Sequence, residues 1–339
     1  MNFESDIWAR LDSLAKPKRS LGKLEELAAK IALIQRSLTP LVRPRRIVLF
    51  AADHGVVASG VSAWPSDVTG LMVRTIVANR AASTALAAAH QCDLRVVDVG
   101  VATSLDDLVA PHFSHARIAP GTYNLAQGPA MTSDEFEAAW QVGVREARLG
   151  LEDGHKVLIA GEMGIGNTTA AACLTSLLAD VSPQQSTGRG AGADDATRAV
   201  KSEIVKEATA RARLLYEKDV RTAIASIAGF EIVAMAGFFV QGASQGAVLL
   251  LDGYVATAAA LIAAHLQSGV SACMIGSHLS SEPGHGAALA ALGLQPLLDW
   301  NMRLGEGTGA LVALPLLDSA VSLLHGVASL EELGVRRED

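Results

Sequence analysis

A doubly wound α/β fold is what this sequence predicts: a mainly parallel sheet with helices on both faces, plus a small helical domain built from the chain termini. Three observations carry that expectation. Short apolar runs ending in a polar residue or a glycine recur: 47–52 before Asp53, 94–97 before Asp98, 156–160 before Gly161, 247–251 before Asp252 and 272–275 before Gly276. Runs of that length that stay apolar throughout fit strands covered on both faces. Between them lie Ala- and Leu-rich stretches at helical spacing, including 67–89, 133–149 and 253–266, which supply the crossovers parallel strands require. Half of the 339 residues are apolar but only 4% are aromatic, so Ala, Leu, Val and Gly build the core, as in helices packed closely on a sheet.

The first 45 residues depart from this pattern. Two charged amphipathic helices are expected at about 5–14 and 20–38, bounded by Lys16-Pro17 and by Pro40 and Pro44. With the segment from Pro315 onward they would form the small helical domain (1–45 with 315–339) beside a large α/β catalytic domain at 46–314. The stretch 232–251 is uncharged and as long as a bilayer span. Gln241, Ser244 and Gln245, with Gly237, Gly242 and Gly246, divide it into a buried helix, a glycine-rich turn and the strand 247–251, so no membrane association is expected.

Charge and cysteine content narrow the function classes. With 35 acidic against 28 basic residues the net charge is −7, and no Lys/Arg stripe offers nucleic acid a surface. Any phosphate must then be held locally, by backbone amides, a helix N-terminus and one or two cations. Cys92, Cys173 and Cys273 are odd in number and widely spaced in apolar runs, which reads as core packing in a reducing compartment. Glu4, Asp6, Arg10 and Asp12 leave no apolar secretion signal among the first twelve residues, and a cytoplasmic location is expected.

Four segments could carry chemistry. Gly161-Glu162-Met163-Gly164-Ile165-Gly166-Asn167-Thr168-Thr169 follows a predicted strand and opens an Ala-rich helix, the context in which backbone amides bind an anion or simply make a capped turn. Arg303-Leu304-Gly305-Glu306-Gly307-Thr308-Gly309 places one carboxylate among glycines before the apolar run 310–314. Partial desolvation there would raise its pKa toward the range of a general base, although a glutamate beside glycines also suits a helix start. Asp53-His54-Gly55 could suggest a catalytic pair, but neighbours on an extended chain point to opposite faces, which favours a positional role. His278, Glu282 and His285 fit no two-histidine metal motif, since Pro283 and Gly284 break any helix that would align them, and no metal site is assigned. Segment 188–192, within Ser186-Thr187-Gly188-Arg189-Gly190-Ala191-Gly192, is either a loop over a ligand or a plain linker.

Taken together these segments resemble the nicotinate-nucleotide:dimethylbenzimidazole phosphoribosyltransferases. The resemblance runs through nearly the whole chain. It rests on Lys16-Pro17 with Ser20-Leu21-Gly22-Lys23-Leu24-Glu25-Glu26-Leu27, then Ala52-Asp53-His54-Gly55-Val56, Gly60-Val61-Ser62, Asp98-Val99-Gly100, the Glu162 loop, Ser277-His278 with Glu282, and the Glu306 loop. It implies a homodimer with a parallel α/β sheet carrying the site. It also implies Glu306 as general base, with Glu162 and Lys201 lining the active site. Gly188, Arg189, Ser62, Leu304 and Gly305 join the 162–169 loop as candidate substrate contacts.

The implied reaction moves the 5-phosphoribosyl group of nicotinate mononucleotide to 5,6-dimethylbenzimidazole, giving α-ribazole 5′-phosphate and nicotinate in the nucleotide-loop branch of cobalamin biosynthesis. Nicotinate leaves as a neutral ring from a pyridinium, so neither cofactor nor metal is required, and the incoming base must lose one ring proton. The family often has Tyr where Trp64 stands and Gln where Leu71 stands, at positions tied to the acceptor-base pocket. Leu71 offers no amide hydrogen bonds, which leaves open another benzimidazole, a purine or a phenol as acceptor. A non-catalytic nucleotide-binding regulator is the alternative from another class.

Overall fold

The computed structural model describes residues 2–334. Among these, seven strands form one sheet: β1 (Arg45–Ala52), β2 (Asp93–Gly100), β3 (Phe113–His115), β4 (Val157–Met163), β5 (Val248–Leu251), β6 (Met274–His278) and β7 (Pro296–Leu298). Every pairing is parallel, and the order is β3-β2-β1-β4-β5-β6-β7. The chain therefore winds outward from β1 toward one edge and then from β4 toward the other. That reversal falls between β1 and β4, and beside it a cleft opens past the carboxyl ends of β4, β5 and β6. The five expected strands are all present: β1, β2 and β4 run on by a few residues, β5 is one residue shorter, and β6 is shifted by two to three residues toward the C-terminus. The two missed strands are three-residue edge strands, too short to show a pattern.

Thirteen α-helices among the described residues surround the sheet. In chain order they are α1 (Phe3–Ser13), α2 (Lys23–Gln35), α3 (Asp67–Val77), α4 (Ala82–Ala89), α5 (Ser133–Glu152), α6 (Asn167–Leu178), α7 (Pro183–Ser186), α8 (Asp195–Tyr216), α9 (Val220–Ala225), α10 (Phe230–Ser244), α11 (Tyr254–Leu266), α12 (His285–Ala291) and α13 (Thr308–Gly326). Alternation along β1 divides the two cores. Val48, Phe50 and Ala52 face the cluster shared with α5, α6, α8, α10 and α11, while Ile47, Leu49 and Ala51 face α1 to α4 and α13. The uncharged stretch 232–251 divides as expected into buried α10, a turn and β5.

Two expectations change. The single helical stretch at 67–89 is two helices, separated where Asn79 takes a left-handed φ of 58°. The boundary expected at Pro315 falls inside α13, and α1 and α2 bury Ile7, Leu11 and Ile31 in the same cluster as Leu49 and Leu250 of the sheet. By length and composition α13 could cross a membrane, yet more than half of it is buried in the fold. Its Asp318 also bonds the guanidiniums of Arg43 and of Arg45, at 2.9 and 3.1 Å.

Candidate active site

Aspartates at strand ends anchor the loops around the crevice. Asp53 follows β1 and accepts from Thr69 Oγ1 at 2.7 Å and from the Ala102 amide at 2.8 Å. Thr69 Oγ1 in turn accepts from the Ile165 amide at 3.1 Å, so α3 and β1 jointly fix the loop between β4 and α6. His54 turns the other way and meets Glu231 Oε1 at 2.7 Å, a fully buried pair behind Gly164. Asp53 and His54 thus have separate positional partners, as the alternation of an extended chain requires.

The crevice is a cleft of about 910 Å³, counting its open mouth. Ser62, Glu162, Met163, Gly164, Gly166, Asn167, Thr168, Arg189, Leu304, Gly305 and Glu306 all line it. Glu162 stands at the end of β4 and receives a hydrogen bond from Asn167 Nδ2. Burial, then the neighbouring Asp252 and Glu231 carboxylates, push its carboxyl up to about 8. Gly305 lies against it so closely that a Cβ there would collide with Glu162 Oε1.

Glu306 is 4% exposed and sits in a left-handed backbone at φ 57°, between Gly305 at 86° and Gly307 at 71°. Burial raises its pKa, opposed by hydrogen bonds from Ser83. Ser83 Oγ donates to Glu306 Oε2 at 3.0 Å from the first turn of α4. The break between α3 and α4 is what brings that helix start to the cleft. Ser83 was not visible in the sequence, because it falls within a continuous helical pattern.

The glycine-rich segment is a loop over the cleft, held from several sides. Glu282 Oε1 accepts from the Gly190 amide at 2.8 Å, Arg303 donates to the Gly190 carbonyl at 3.1 Å, and Trp64 Nε1 donates to the Ala191 carbonyl at 3.1 Å. Beneath it Lys201, 1% exposed on α8, donates to Thr168 Oγ1 at 2.7 Å. Burial lowers the Lys201 ammonium to about 8, against the upward pull of Glu282.

The expected residues do not all reach the cleft. Lys201 and Thr169 are buried behind its wall, Gly188 lines a neighbouring cavity instead, and Trp64 is half-exposed and meets the loop from outside the lining. The amides of Asn167 and Thr169 already bond the carbonyls of Gly164 and Gly166, at 3.2 and 3.0 Å. Leu71 lies on the solvent side of α3, 62% exposed and outside the lining, because Thr69, Gly70 and Val73 take the inward face. Among the described residues no His/Cys/Asp/Glu group is arranged to hold a metal. His285 accepts from the Ser280 amide at 2.8 Å through Nδ1 and shares its Nε2 proton with Thr257. Burial, aided by His278, brings His285 down to about 3.

A phosphoribosyltransferase family profile matches residues 1–335. The chain belongs to that family. A nicotinate-nucleotide–dimethylbenzimidazole phosphoribosyltransferase of Thermus thermophilus is 45% identical over 328 residues, covering 97% of this chain and 96% of its own length. The enzyme of the same name from Chromobacterium violaceum is 46% identical, covering 96% and 94%. That from Mycobacterium tuberculosis is 45% identical, covering 98% and 91%. A crystal structure of CobT from Thermus thermophilus superposes with a TM-score of 0.95 at 43% identity, covering 99% of both chains. This phosphoribosyltransferase therefore matches its relatives over nearly its whole length in sequence, and the Thermus thermophilus structure in fold.

Proposed function

We propose that this chain transfers the 5-phosphoribosyl group of nicotinate mononucleotide to 5,6-dimethylbenzimidazole, releasing nicotinate and α-ribazole 5′-phosphate. The observation that carries this reading is the Glu306 carboxylate, made more basic by burial, lining the same cleft as the N-terminus of α6. The 5′-phosphate belongs at that helix start, where the macrodipole and the amides of Gly166 and Thr168 favour an anion. Lys201 adds its charge from behind Thr168.

With the phosphate held there, C1′ faces the cleft between the two rings. The C1′–pyridinium bond breaks as the base nitrogen bonds to C1′ from the opposite side. The electron pair of the broken bond returns to the departing ring, giving nicotinate. The proton on the azole N–H passes to Glu306. Attack opposite the leaving ring inverts C1′, which gives the α-configured product. Glu162, carrying a proton at neutral pH, is a hydrogen-bond donor rather than a second base.

A cytoplasmic homodimer is part of the same reading, supported by the family resemblance; size-exclusion chromatography with light scattering tests the dimer. Incubation with nicotinate mononucleotide and a mixture of dimethylbenzimidazole, other benzimidazoles, purines and phenols, followed by mass spectrometry, tests the reaction. Release of nicotinate with one new riboside phosphate is expected. Binding of the mononucleotide without turnover on any base would sink it in favour of a regulator.

A further inference from the structure

Glu306 occupies a backbone conformation that disfavours any residue with a Cβ, at a cost of about 1–2 kcal/mol. Such a geometry persists only where the surroundings hold it. On one side the loop abuts β4, where Gly161 has no side chain and the backbone of Glu306 and Gly307 closes over it. On the other side stands Asp252, the residue after β5, 2% exposed and lining the cleft. Its Oδ2 accepts from the Gly307 amide at 3.1 Å, and its Oδ1 accepts from Gly309 at 2.8 Å and Ala310 at 3.2 Å. One carboxylate from a neighbouring strand thus caps the start of α13 and grips the residue beside Glu306.

We propose that Asp252 is a positioning residue for phosphoribosyl transfer, clamping the Glu306 loop so that its carboxylate meets the incoming base. This inference rests on the assignment of Glu306 as the base. The geometry is selective: a helix start can be capped by its own preceding residue, yet here the cap comes from 55 to 58 residues earlier in sequence and from inside the site. The Asp252 carboxylate also makes proton loss harder at both neighbouring glutamates, second only to burial at Glu162 and after burial and Ser83 at Glu306. The other groups in this cluster are Glu231 from α10, which acts on Glu162, His278 from β6, which packs against Gly309, and Arg303 on the same loop.

Asp252→Asn separates positioning from packing. The amide keeps an acceptor for Gly309 and Ala310 but turns an N–H toward the Gly307 amide, and it removes the charge. Turnover should fall about tenfold to a hundredfold while the Michaelis constant for nicotinate mononucleotide stays within roughly twofold. The acid limb of the kcat–pH profile should move to lower pH, because the like charge that raised Glu306 is gone. Unchanged turnover overturns the proposal, and so does lower turnover with an unmoved acid limb. If Asp252→Asn does not bind the mononucleotide in calorimetry, Asp252→Ser is judged by the same criteria. Loss of binding in both variants assigns Asp252 a purely structural role and overturns the proposal. Wild type and Glu306→Gln run in parallel keep the levels apart. An inactive wild type sinks the reaction, an active Glu306→Gln sinks the base, and only the Asp252 variants bear on the clamp.

Discussion

Glu162 and Glu306 line one cleft in different surroundings. Glu162 is buried against Gly305 and faces further carboxylates, and burial first and those charges second push it from an ordinary 4.5 to about 8, against the hydrogen bond from Asn167. Between those values the folded protein keeps a proton that the unfolded chain has released. Stability fully present below 4.5 is therefore lost as pH rises through about 8. Replacing Glu162 by Gln removes that proton uptake, so its melting temperature should depend less on pH between about 5 and 8 than the wild type's, on the order of 1 kcal/mol less per pH unit. Equal slopes in the two proteins would show that Glu162 is ionised when folded. Glu306 is the complementary case. Glu306→Gln should retain the mononucleotide in calorimetry and lose roughly 10²- to 10⁴-fold in kcat. Retained turnover would move the base elsewhere.

At the scale of elements, the bond from Lys201 to Thr168 ties α8 to the start of α6, the end of the cleft to which the proposed function assigns the phosphate. Lys201→Ala should raise the Michaelis constant for the mononucleotide roughly tenfold to a hundredfold, the worth of a charge-assisted bond. In the wild type that constant should climb as pH passes about 8 and the ammonium loses its charge. An unchanged constant in the variant would remove Lys201 from phosphate binding. Most elements behind these groups were legible in the sequence, because strands covered on both faces read as unbroken apolar runs and their last polar residue marks the ligand edge. Asp53 and the Glu162 loop were found that way, and the Glu306 loop by its flanking glycines. What escaped depends on distant partners. The start of α4 was hidden because the helical pattern of α3 continues through Asn79 and Arg80 as if it were one helix, and Asp252 looked like any strand-end residue until its partners 55 residues on came into place. Leu71, singled out through the family resemblance, is carried to solvent by its turn of α3 while Thr69, Gly70 and Val73 face inward.

Across the whole molecule, the question is whether the terminal helices unfold by themselves. The composition break near residue 45 and Pro315 suggested a separate domain, whereas packing ties those helices to the sheet. Proline at 315 costs α13 one backbone donor, but Leu311, Leu314, Leu317 and Leu324 keep the helix seated across it in the core of α1, α2 and β1. Arg45, whose side chain is fully buried at the start of β1, has its carboxylate partner on α13. Terminal helices that share a cluster with the sheet in this way should melt with it in a single calorimetric transition, with calorimetric and van't Hoff enthalpies in agreement. Asp318→Ala tests the linkage directly: it leaves Arg45 buried without its carboxylate, and since Asp318 itself is about one third exposed the cost should be about 1–3 kcal/mol. The entire transition should move down by a few degrees, with loss of mononucleotide binding coinciding with loss of helical signal. An early, smaller transition that the substitution shifts alone, while binding persists above it, would make the terminal helices a domain with a stability of their own.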